Sequence, residues 1–150
     1  MNLTKKKWLL PVGAVLVVLL LIIALVTTMT GTGSEKSEFL STFQLDYAKD
    51  DVQLQEVYND YGWFGDGVAL YQVALGEDAA TLTANWNDLP LGERAETLLE
   101  WESDSISLPD ITEGKWMLVS RDGDSENSTN VSLCVYDEET GTAYYVTIDT

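Results

Sequence analysis

Apolar and polar positions divide this chain near residue 30. From Trp8 to Val26 nineteen consecutive residues carry no charge and no strongly polar group. As a helix that run is ~28 Å long, close to the ~30 Å hydrocarbon core of a bilayer. The pattern predicts a transmembrane helix over 8–29, with residues 1–7 as a basic tail. The rival reading is a cleaved signal peptide, whose apolar region would be only ~7–15 residues. Beyond Met29 the periods are short and mixed. Gly31 to Ser41 (GTGSEKSEFLS) reads as a tether, assigned to 30–41, and 42–150 as one extracytoplasmic domain. Phe39, Leu40 and Phe43 stand where the fold or a short helix begins.

Within that domain the elements follow one another by period. Val52–Tyr58 alternates and predicts a strand. Asn59–Gly67 (NDYGWFGDG) is turn chemistry, and Val68–Leu75 is a second, uncharged strand. Asp78 is a candidate helix cap before Leu82, Trp86 and Leu89 at i, i+4 and i+7, with Pro90 ending that helix. A second helix over Gly92–Trp101 places Leu91, Ala95, Leu98 and Leu99 on one face. Lys115–Arg121, Val131–Tyr136 and Thr142–Ile148 predict three more strands, separated by Asp122–Thr129 and the tight turn Asp137–Gly141. The order β-β-α-α-β-β-β predicts an α+β domain: an antiparallel sheet of about five strands with two helices on one face.

Charge sets orientation and narrows the partners. Lys5, Lys6 and Lys7 precede the apolar run, and no basic residue follows until Lys36. The positive-inside rule then keeps the N-terminus cytoplasmic and the domain outside a cell membrane crossed once. After Gly33 there are 25 acidic residues against five basic ones, a net charge of −20. That balance excludes nucleic acid and an anionic membrane surface as favoured partners. An unidentified protein or envelope ligand remains.

Candidate chemistry is sparse. With no histidine, a Ser–His–Asp triad, a Cys–His pair and a His-ligated zinc site are all excluded. Cys134, the single cysteine, sits mid-strand and reads as a buried thiol without a disulfide partner. Trp63, Phe64 and Asp66 lie between glycines in the first turn. They form the candidate ligand-binding site, set against the plainer reading of a hairpin turn. Asp122, Asp124 and Glu126 place oxygens at alternate positions, as a calcium loop begins. Asn127 stands where that loop needs Gly and Leu133 where it needs Glu, so calcium is a weak metal candidate and no other cofactor is expected.

The segment WFGDG, then Trp86-Asn-Asp-Leu-Pro-Leu91, then KWMLVSRD, then LCVYDEETGTAYYVTIDT resembles small exported bacterial proteins of no established function. The resemblance spans roughly residues 54–150. It departs at Phe64, where those proteins often carry His. It implies an α+β domain and export, and no activity. The expectation is therefore a non-enzymatic, membrane-anchored binding or sensing domain. The alternatives are a carboxylate- or metal-dependent hydrolase of envelope material, with Asp66 as its acid, and an accessory subunit of a membrane complex.

Overall fold

A computed structural model describes residues 33–46, 51–76, 79–123 and 128–150. Among them no helix is long and apolar enough to cross a membrane. The expected span over 8–29 and the expected cap Asp78 lie outside them.

The elements in chain order are α1 (Gly33–Thr42), β1 (Gln53–Asn59), β2 (Gly67–Ala74), α2 (Ala79–Leu82), β3 (Asn87–Asp88), α3 (Glu93–Trp101), β4 (Gly114–Ser120), β5 (Val131–Asp137) and β6 (Thr142–Asp149). The strands form one antiparallel sheet of six, in the order β1-β2-β6-β5-β4-β3. The fold is α+β, as the pattern predicts. The sixth strand is the short β3, which pairs Asn87 with Trp116 and Asp88 with Lys115 at one edge.

Strand alternation builds two apolar layers. Ala69, Tyr71 and Val73 of β2, Cys134 and Tyr136 of β5, and Ala143 and Tyr145 of β6 face one side. Val68 and Leu70, Leu133 and Val135, and Val146 and Ile148 face the other. A sheet with two apolar faces needs cover on both. Helix α1 covers the first, through Phe39 and Leu40, with Phe43 just past its end. Helix α3 covers the second, through Ala95 and Leu98, with Glu93, Glu96 and Glu100 outward. The expectation of two helices on one face is thus corrected. The central strand β5 is buried along its whole length because both sides are occupied. Each Leu or Val fully buried in such a layer contributes ~1.5–3 kcal/mol.

Two further expectations change. The stretch read as a tether is helical from Gly33, and its apolar end is core: Phe39 and Phe43 pack tilted and edge-on against Tyr145, with centroids 5.2 and 5.6 Å apart. Aromatic pairs at such distances favour these arrangements. The helix expected through Leu89 is only four residues long. Thr83 donates its hydroxyl back to the Ala79 carbonyl at 2.9 Å, and the chain turns into β3. Trp86 is still buried, but against Phe43 rather than along a helical stripe.

Helix α1 has a direction that matters below. Glu35 and Glu38 lie near Tyr61, Arg121 and Asp149, where β1, β4 and β6 end. Phe43 lies near Trp86, beside β3 and the start of β4. The helix therefore runs from the end of the sheet that carries the β1–β2 connection toward the opposite end.

Candidate functional site

The β1–β2 connection is an ordered loop. The Asp60 N–H donates to the Val68 carbonyl at 3.1 Å, and the Val68 N–H donates to Asp60 Oδ1 at 2.8 Å. Inside that rung Gly62 N–H reaches the Asp66 carbonyl at 2.9 Å, and Gly65 N–H reaches the Gly62 carbonyl at 3.1 Å. Gly62–Gly65 is thus a tight turn with Trp63 and Phe64 at its corners. Gly65 has φ +86°, a conformation that L side chains rarely adopt. At Gly67 a Cβ would stand 2.7 Å from the Tyr61 Cα, so only glycine lets the two limbs approach.

The loop sorts its aromatics in opposite directions. Tyr61 turns inward: its N–H donates to Asn59 Oδ1 at 3.1 Å, and its hydroxyl donates to Asp149 Oδ2 at 2.8 Å. Trp63 and Phe64 turn outward and are 97% and 91% exposed. Neither side chain buries its apolar area against the rest of the domain. Asp66 is also exposed, and its backbone carbonyl rather than its carboxylate holds the turn. The three expected ligand residues share this tip. Val57, another exposed large side chain, lies at the irregularity in β1 where the register shifts between Glu56 and Tyr58.

Behind the tip lies an ion cluster that sequence reasoning missed. Arg121 follows β4, and its Nη2 sits 2.5 Å from Asp149 Oδ1. The same nitrogen donates to the Ile148 carbonyl at 3.1 Å and the Tyr61 hydroxyl at 3.3 Å. Nη1 reaches Glu38 Oε1 at 3.3 Å, tying α1 to the sheet. Burial would lower the Arg121 pKa, but the Tyr61 hydroxyl and Asp149 outweigh it and raise it. Burial raises that of Tyr61, so its hydroxyl stays protonated as a donor. Part of the signal was present in the composition: with five basic residues among 25 acids, a half-buried arginine meets carboxylates readily. Which ones depends on β4 and β6 ending together.

The cluster borders a cavity of about 150 Å³ lined by Glu35, Glu38, Tyr61, Tyr71, Arg121, Tyr145, Thr147 and Asp149. The buried Tyr145 hydroxyl lies near that of Ser132, yet neither completes a hydrogen bond within the protein. Burial raises the pKa of Tyr145 and of Tyr71, leaving this wall uncharged. Its size and polarity suit a few waters.

Of the calcium candidates only Asp122 lies among the described residues. Asp122 is exposed and accepts a hydrogen bond from the Ser128 hydroxyl, while Asp124 and Glu126 lie outside the described residues. Among the described residues no three acidic or cysteine side chains converge as a metal site. Cys134 is fully buried, and desolvation pushes its thiol pKa well up, so it is a poor nucleophile. No family model, curated protein or solved structure matches this chain.

Proposed function

We propose that this chain is a non-enzymatic, membrane-anchored binding domain held on the outer face of a cell membrane, and that the Trp63–Phe64 tip is its contact element. The observation that carries the reading is the near-complete exposure of two adjacent aromatics on a loop fixed by its own backbone. A preorganised loop loses little entropy when it binds, and aromatic anchors dominate contact energies. The apolar run from Trp8 to Val26 and the three lysines before it support the anchor and its orientation. High acidity keeps the remaining surface solvated and disfavours nonspecific contacts.

The reading is tested with a photo-crosslinking amino acid at position 64 of the full chain, in the membranes of the cell that makes it. Adducts are expected at position 64 and should drop severalfold in Trp63→Ser. Labelling at 64 no stronger than at Gln72, an exposed position in β2, would remove the tip as a contact element.

A further inference from the structure

The tip and the start of the described chain share one end of the domain. Glu38 of α1 is bonded to Arg121, which is bonded to Tyr61 at the base of the tip. Gly33 lies five residues earlier on the same helix, ~7.5 Å further along its axis in the direction away from Phe43. The chain therefore enters the domain at the end where Trp63 and Phe64 protrude. Between Gly33 and the expected transmembrane span over 8–29 stand only Thr30, Gly31 and Thr32. Three residues reach on the order of 10 Å at full extension. A domain joined to a bilayer by that length must present its entry end to the surface.

Resting on the reading above, we infer that the occupant of the tip is the lipid interface of the membrane in which the chain is anchored. Trp63 and Phe64 are suited to this place, because tryptophan prefers the headgroup level and phenylalanine the acyl boundary. The tip is apolar only at its corners. Asp60 and Asp66 flank it, and α1 adds Glu35 and Glu38 at the same end. Carboxylates so placed repel anionic headgroups and limit depth, so the fitting surface is a zwitterionic interface touched shallowly. The domain is held against the bilayer at two points, the chain entry and the tip. Its axis is fixed relative to the membrane as a single flexible tether would not fix it.

The test places a nitroxide label at Phe64→Cys in the full chain, reconstituted in phosphatidylcholine bilayers. Cys134 is buried and stays unlabelled in the folded protein. Paramagnetic relaxation is read with dissolved oxygen, which partitions into lipid, and with a nickel chelate, which stays in water. The expected result is severalfold weaker relaxation by the nickel chelate at 64 than at Gln72→Cys, reversed by Trp63→Ser. Equal relaxation by nickel at 64 and 72 overturns the inference. The crosslinking experiment separates the two claims. Lipid adducts at 64 support both. A discrete protein adduct keeps the tip as contact element and overturns the lipid assignment. An absence of adducts removes both.

Discussion

Two hairpin connections of the same sheet solve the same problem differently. The β5–β6 turn, Asp137–Gly141, closes with one aspartate. Asp137 accepts from the Thr140 hydroxyl at 2.7 Å and from the N–H groups of Glu139 and Thr140, and Gly141 N–H returns to its carbonyl at 2.9 Å. Its exposed residues are polar, Glu138, Glu139 and Thr140. The β1–β2 connection also uses an aspartate, Asp60, to bind a backbone N–H across the strands. It then extends further and sets Trp63 and Phe64 in water. Closure alone needs neither aromatic, as the first turn demonstrates. The pair is therefore an addition to the hairpin, and it stands at the end of the sheet where α1 begins.

Five variants break or sharpen that contrast. Arg121→Met leaves Asp149 and Glu38 facing each other, one-quarter and one-half exposed, without their cation. Discounted for that exposure, the loss is about 2–3 kcal/mol in urea unfolding of the full chain in detergent. Exchange of the Gly62 and Gly65 amides should accelerate while that of Gly141 does not. Gly67→Ala forces a Cβ against the Tyr61 backbone and should cost about 2 kcal/mol, again at one hairpin only.

Asp137→Ala attacks the other turn and should cost about 1 kcal/mol through its lost acceptors. Asp137 also has a pH signature. Thr140 and the backbone N–H groups hold its carboxyl below the ordinary 3.8, so the folded chain keeps it charged after the unfolded chain has bound a proton. Its contribution is complete above that range and drains away as pH falls through the lower folded value. Asp137→Asn should flatten the acid limb of a melting curve against pH below about 4. The smallest effect on stability belongs to Trp63→Ser with Phe64→Ser, under about 0.5 kcal/mol, since neither side chain packs against the fold. A larger loss would make them structural and remove the contrast.

The two hairpins also differ in how far sequence reveals them. The strands were legible because alternation and β-branched runs mark them directly, and α3 because Ala95, Leu98 and Leu99 recur at helical spacing. Trp63 and Phe64 were legible as aromatics stranded among glycines. Helix α1 was legible only at its apolar end, because its first half reads as linker and its partner Arg121 is 83 residues away. Its polar residues belong to an ion cluster rather than to a tether. The sidedness of the helices was likewise hidden. It follows from β5 and β6 having two apolar faces, which a period-two pattern registers only as a continuous run.

The irregularity at Val57 has a consequence for how copies of this domain meet. Among the described residues β1 is the outer strand on its side of the sheet, and one row of its backbone groups faces no neighbouring strand. Such an edge is a template for the edge of another molecule. The break in register between Glu56 and Tyr58 spoils that template midway, because a bulged strand bends and misaligns its hydrogen-bonding groups. The opposite edge is finished by β3, which is only two residues long. A flat, regular edge would let two copies pair strand to strand and the pairing grow into ribbons. The irregularity at position 57 works against that pairing.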